Sequence, residues 1–247
     1  AAEKDGIRLL RSSPPNLPRA RNRGVAASSG EIVLFLDDDV EIRAKLIENH
    51  RRSYRDPKVG AVAGNIDDPL FDRSQDAPSV YDKTTGELRQ NFAADTDRES
   101  ISFMGANMSI RRSALVRVGG FDEAFGGNGL WEEIDAAFRL RAAGYTIRYV
   151  SNASVKHVRL ASGGCRRHRT YRYLYHQFAN TAYFAAKHAP HGCYGSWIRF
   201  WWHRLEYLSR TGRPAPRHDP LAIASALVGA VHGTGKRFVS GAGRRYL

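Results

Sequence analysis

Phe35-Leu36-Asp37-Asp38-Asp39-Val40 closes an apolar run with three consecutive carboxylates. Ile32 to Leu36 are apolar and follow the turn Ser28-Ser29-Gly30, which reads as a buried strand. A strand ending in acids delivers them to the carboxyl edge of a sheet, where open α/β folds place their ligands. On an extended chain Asp37 and Asp39 share one side and Asp38 takes the other. Three such carboxylates repel one another unless a cation or a strong donor set neutralises them. Oxygen ligands of this kind suit Mg²⁺ or Mn²⁺, which can also hold a diphosphate. The plainer alternative is that the acids cap the next helix, but a cap uses one aspartate. A metal-diphosphate site is the preferred reading.

Outward from this stretch lie Arg19-Ala20-Arg21-Asn22-Arg23-Gly24, then Gly105-Ala106-Asn107-Met108-Ser109, then Val118-Gly119-Gly120-Phe121-Asp122-Glu123. Trp131-Glu132-Glu133-Ile134-Asp135 and His157 follow. In that order and spacing the set resembles the family 2 glycosyltransferases of the GT-A fold, over roughly residues 7 to 160. The resemblance implies an α/β, Rossmann-like mixed sheet flanked by helices in residues 1–160, with a C-terminal helical extension in 161–247. It also implies inverting transfer of a sugar from a nucleoside diphosphate sugar to an acceptor hydroxyl, in polysaccharide or glycolipid synthesis. The acceptor would be a carbohydrate or lipid-linked, and the cofactor Mn²⁺ or Mg²⁺.

The site residues follow from that resemblance. Asp39 is the direct metal ligand, Asp37 leans toward ribose or metal, and Asp38 joins the donor site. His157 completes the metal site, although a histidine at a strand end is also an ordinary structural residue. Gly105, Ala106 and Asn107 form the loop beside the donor sugar, where small residues permit close backbone approach. Arg19, Arg21 and Asn22 are candidates for the nucleotide, with solvent-facing helix positions as their alternative. Family members usually open with a further strand, nucleotide-binding loop and helix. The expectation is therefore an N-terminally incomplete catalytic domain, with Ile7 to Leu10 as the second or third strand of its sheet.

The pair Glu132-Glu133 is the second chemical centre. An inverting transfer needs a base for the acceptor proton. In the family the motif is Glu-Asp and its second acid is the base, which here falls on Glu133. Two acids at a helix start also suit the macrodipole without any chemistry. Asp135 and Arg139, four apart, should pair at the surface or behind the site, and Asp135 is a candidate for acceptor binding. Trp131 could stack on an acceptor sugar or pack beneath the Gly126-Gly127-Asn128-Gly129 hinge.

Composition sets the outer bounds. A 42% hydrophobic fraction over 247 residues allows one sizeable core and an appended element. No run reaches the roughly 18 apolar residues of a membrane span, and Leu221 to Val231 is too short. No secretory signal opens the chain. Two cysteines, Cys165 and Cys193, do not make a disulfide framework. With His168 and His191 they could form a zinc set, but His-x-Cys is tighter than structural zinc spacing. An EF-hand at the acidic strand fails because Ile42 stands where glycine is required.

The net charge of +13 is concentrated in the tail, where Arg159 to Arg213 hold ten basic residues against the single acid Glu206. Trp197, Trp201, Trp202 and several tyrosines interleave with them. That pattern suits an anionic membrane surface, or a tail packed on the catalytic domain with its arginines solvated. Nucleic acid is the weaker fit. The location expected is cytoplasmic, peripheral at the inner face of the membrane. The rival to an enzyme is a non-catalytic sugar- or surface-binding module derived from the same fold. Helices are expected over 18–27, 43–54, 112–118, 132–143, 168–188, 195–210 and 219–232. Strands are expected at 32–36, 59–63, 106–110, 147–150 and 154–157, with residues 66–100 a long loop.

Overall fold

The computed structural model describes residues 2–4, 6–69, 71, 73, 79–82, 88–127, 129–158, 171–188 and 220–239. Its centre is a six-stranded mixed sheet. The strands run in the order β3 (Ile32–Leu36), β9 (Asn107–Arg111), β5 (Val59–Asp67), β10 (Thr146–His157) and β4 (Val40–Ile42), and β8 (Arg98–Ser100) also pairs with β10. β5 and β10 are parallel, and the other pairings are antiparallel. β5 takes the middle because Val-Gly-Ala-Val-Ala-Gly-Asn-Ile is small or apolar throughout and buried on both faces.

The remaining elements are β1 (Ala2–Lys4), β2 (Ile7–Leu9), α1 (Leu17–Ala27), α2 (Leu46–Ser53), β6 (Val80–Tyr81), β7 (Leu88–Arg89), α3 (Arg112–Arg117), α4 (Glu132–Ala142), α5 (Tyr171–His188) and α6 (Pro220–Val239). Asn16 starts α1 by accepting from Arg19 N at 2.9 Å, and proline occupies its first turn. Gly144, at φ +90°, lets the chain leave α4.

Four expectations are revised. Ile7–Leu9 does not join the main sheet: it pairs with Ala2–Lys4 in a separate ribbon and stays exposed, so it buries nothing against the core. β10 is one strand rather than two, with a register shift between Val150 and Ser154 absorbing the break. α2 begins at Leu46, because Val40–Ile42 is spent pairing with β10. Residues 66–100 are not all loop: β6 and β7 form a two-stranded ribbon and β8 extends the main sheet.

Two buried clusters organise the packing. The larger unites Val62, Ile66, Met108, Ile110, Leu140 and Ile147 between the sheet and its helices. The smaller holds Phe125, Trp131, Ile134, Tyr183 and Phe184, and it binds α5 to α4. Inside the sheet Asn107 Nδ2 donates to the carbonyls of Asn65 (2.9 Å) and Ala153 (2.8 Å), while its Oδ1 accepts from His50 Nε2 (2.8 Å). His50 Nδ1 lies 2.9 Å from Ser109 Oγ, and burial holds the pKa of the ring below the ordinary value. Gly64 is required where β5 passes this amide, since a Cβ there would collide with Asn107 and with the Ala153 carbonyl.

Candidate functional site

The strand-end acids occupy the tight turn from β3 into β4 rather than the end of an extended strand. The turn still sends Asp37 and Asp39 to one side, where they meet His157 at the end of β10. Ligand atoms of the three lie within 4.8 Å of one another. The register explains the meeting: His157 is the partner of Val40, and Val158 N donates to the Asp39 carbonyl at 2.9 Å. Asp38 is exposed and lies outside this group.

His157 is held from both ring nitrogens. Nδ1 donates to Asp68 Oδ2 at 2.7 Å, and Nε2 faces Asp39 Oδ1 at 3.1 Å. Asp68 is 5% exposed. A carboxylate on Nδ1 fixes the tautomer in which Nε2 offers its lone pair to an ion. Two carboxylates and an imidazole so oriented fit a divalent cation of the Mn²⁺ or Mg²⁺ kind. Sequence reasoning left Asp68 in a loop. Its signal was the one used for Asp37, an acid directly behind an apolar strand.

The acid pair opens α4 beside this group. Glu132 is 2% exposed and Glu133 retains more access, with a side chain 21% exposed. Arg21, from the buried side of α1, donates to both: its Nη1 contacts Glu132 Oε1 and its Nη2 lies 2.7 Å from Glu133 Oε1. Burial opposes the Arg21 charge, but Glu133 and Glu132 more than offset it and hold the group above the ordinary arginine range. Burial and the charge of Glu133 push Glu132 well above the usual carboxylate range, with Arg21 opposing. Asp37 is also raised, first by desolvation and then by Glu133, against the pull of Arg21 and His157. Glu133 is thus near enough to Asp37 to oppose its ionisation, and it is the more exposed of the two acids, Glu132 being buried. Gly105 is buried against this contact, and a Cβ there would strike Arg21 and Glu133; Ala106 follows it at 1% exposure.

Several expected site residues are structural. Asn107 spends its whole amide inside the sheet, so no polar atom of it is left for a donor. Asn22 clamps α1 to the Gly119-Gly120-Phe121 turn through Phe121 N and Phe121 O, both at 2.8 Å. Arg19 pairs with Glu123 at 2.9 Å, and of the three α1 candidates Arg21 alone reaches the acids. Helical spacing carries that signal: Pro18, Asn22 and Val25 mark the buried face, and Arg21 borders it while Arg23 is exposed.

Trp131 is 7% exposed and unsuited to an acceptor sugar. Its indole stacks on Phe184, with ring centroids 4.6 Å apart, and its Nε1 donates to Thr181 Oγ1 at 2.9 Å. Its φ of +79° is a left-handed conformation costing a non-glycine residue about 1–3 kcal/mol. Asp135 forms the expected pair with Arg139 at 2.8 Å, but in the interior rather than at the surface or in an acceptor cleft. It also meets Lys187 Nζ (2.7 Å) and His188 Nε2 (2.8 Å) of α5. Burial works against its ionisation, but Arg139, His188 and Lys187 together hold it far below the usual carboxylate range.

In the tail, the aromatic residues Phe178, Tyr183 and Phe184 of α5 are buried, which is packing rather than a free aromatic belt. Trp197, Trp201, Trp202 and Arg204, and the zinc candidates Cys165, His168, His191 and Cys193, lie outside the described residues. Among the described residues no helix is long and apolar enough to cross a membrane.

Residues 32–224 match the family described as "Glycosyl transferase family group 2". A "Pre-mycofactocin glycosyltransferase" of Mycobacterium tuberculosis is 32% identical over 139 residues, 56% of this chain. The match spans only 29% of that relative's length. Among solved structures, Staphylococcus aureus TarS in complex with UDP-GlcNAc superimposes with a TM-score of 0.53 at 13% identity, covering 92% of this chain and 63% of that one. GalNAc-T7 with UDP, GalNAc and Mn²⁺ gives 0.50 at 15% identity, over 81% of this chain and 45% of the other. At such identities the likeness is one of fold.

Proposed function

The chain belongs to glycosyl transferase family group 2, and from that premise we propose that it moves a sugar from a nucleoside diphosphate donor to an acceptor hydroxyl, with inversion. The observation that carries this reading is the convergence of Asp37, Asp39 and His157, with the partly exposed Glu133 near enough to Asp37 to act on its charge. Asp39 and His157 would hold a divalent ion, with Asp37 completing the set or reaching the ribose. Such an ion supplies positive charge against the diphosphate as it leaves. Asp68 orients His157 by accepting from its Nδ1. Glu133 takes the proton from the attacking acceptor hydroxyl, as the more accessible of the two acids. Arg21 holds that carboxylate in place and donates as well to its neighbour Glu132. The Gly105 backbone closes over this pair without a side chain.

The test is release of nucleoside diphosphate from a panel of UDP- and GDP-sugars by the full chain, with Mn²⁺ or Mg²⁺ and after chelation. Metal-dependent release from one donor is expected. No release from any of them, alongside tight sugar binding, would favour the non-catalytic module instead.

The proposal extends to a carbohydrate or lipid-linked acceptor used in polysaccharide or glycolipid synthesis, and to peripheral attachment at the cytoplasmic face of an anionic membrane. The basic tail supports the attachment, as do the exposed side chains Leu221, Leu227, Val228 and Val231 on α6. Each cation near an anionic surface contributes about 1 kcal/mol, so a handful gives reversible binding. In flotation experiments the protein should rise with anionic vesicles at low salt and remain behind at high salt. Absence of co-flotation at low salt would leave the tail as ordinary packing.

A further inference from the structure

Helix α4 presents the acid pair from a poorly secured end. Trp131 precedes it with a left-handed backbone, and no side-chain hydrogen bond caps the helix. Three acids, Glu132, Glu133 and Asp135, stand in its first turn, where the macrodipole favours them but does not set their positions. The tips of the first two are tied by Arg21, but that contact does not fix the backbone that carries them.

α5 supplies the missing anchorage, on both sides of the pair. On one side Thr181 Oγ1 accepts from the Trp131 indole at 2.9 Å, and Phe184 stacks on the same ring. Thr181 is itself set by donating to the Gln177 carbonyl at 2.7 Å. On the other side Lys187 Nζ sits between Asp135 Oδ1 (2.7 Å) and Asp122 Oδ2 (2.8 Å), and His188 adds a bond to Asp135. Asp122 belongs to the segment whose neighbours Phe121 and Glu123 are bonded to Asn22 of α1. The lysine thus links α4, α5 and the support of α1, the helix that carries Arg21. A helix retained only by packing would present an apolar face. α5 instead places a hydroxyl and a half-buried cation on the residues that flank the acids.

We propose that Thr181 and Lys187 are positioning residues for the transfer reaction: through Trp131 and Asp135 they fix where Glu133 stands relative to Asp37. α5 is accordingly part of the catalytic unit rather than of an appended region beginning at residue 161. The kinetic part of this inference rests on the glycosyltransferase reading, and the structural part does not.

The test compares Thr181→Val and Lys187→Met with the conservative Thr181→Ser and Lys187→Arg, in the full chain. Amide hydrogen exchange across residues 131–136 should quicken in Thr181→Val and Lys187→Met while β5 stays protected, and the conservative variants should restore it. Where the wild-type protein turns over a donor, kcat should fall about 10- to 100-fold, as a displaced catalytic group requires. The Kd for UDP with Mn²⁺, or for the nucleotide of the active donor, should stay within about twofold by calorimetry, and Thr181→Ser should recover most of the rate. Unchanged exchange at 131–136, or an unchanged kcat despite quickened exchange, overturns the proposal. So does a parallel loss of kcat, nucleotide binding and β5 protection, which marks a merely structural role. If the wild-type protein turns over no donor, the failure belongs to the glycosyltransferase reading and the exchange measurement alone decides.

Discussion

Replacing Asp39 by alanine abolishes metal-dependent binding of the nucleoside diphosphate; that is the largest effect expected of any single change in this chain. Asp39 shares its space with Asp37 and with His157 Nε2, and all three ligand atoms lie within 4.8 Å. Removing an outer hydrogen-bond partner of a metal ligand costs roughly 10- to 100-fold in affinity. Removing a ligand outright should exceed that. The fold should survive, because β4 still pairs with β10 from Val40 onward and Asp68 still holds His157 Nδ1. Titration of the nucleotide by calorimetry, with Mn²⁺ and after chelation, is the measurement. Metal-dependent affinity that persists in Asp39→Ala would move the ion elsewhere.

Glu133→Gln should leave nucleotide affinity and melting temperature near wild type while lowering kcat by about 10²- to 10⁴-fold, the range for loss of a positioned general base. The amide oxygen can still accept from Arg21 Nη2, now at 2.7 Å from the carboxylate, so the geometry is retained while proton acceptance is lost. Glu132→Gln is the control. That side chain is buried and raised in pKa by burial and by Glu133, so a neutral amide mimics it well. A dead Glu132→Gln beside an active Glu133→Gln would assign the base one position earlier.

Local chemistry was legible in the sequence where one residue type had one plausible use. An apolar run ending in acids gave β3 and its turn. The glycines and acids around Trp131 gave the start of α4 at Glu132. What escaped was the use of polar side chains inside the protein. Asn107, Asn22, Trp131 and Asp135 all carry chemistry-bearing groups near the site, and each is engaged by partners 40 or more residues away, Asp135 in addition to its neighbour Arg139. Strand pairing makes those partners neighbours for Asn107, and the packing of α1 and α5 does so for the other three; periodicity encodes neither. Asp68 shows the converse. It falls in the expected loop 66–100, although it directly follows β5 as Asp37 follows β3, and the pairing of β5 with β10 brings it to His157. The short strand Val40–Ile42 was missed because three residues carry too little pattern to announce a strand.

The pairing of β4 with β10 has a thermodynamic consequence. Asp39 precedes β4 by one residue and His157 ends the strand paired with it, and the bond from Val158 N to the Asp39 carbonyl joins the two. Their separation is already set by that bonding, so the proposed ion would order almost no chain on arriving there. Little of its binding free energy is diverted into folding, unlike small domains that collapse only around their metal. The same rigidity works in the opposite direction. A site that hardly relaxes cannot shrink or swell to suit ions of different radius, so radius itself would contribute to discrimination between Mn²⁺ and Mg²⁺, beside the imidazole, whose nitrogen the softer ion tolerates better.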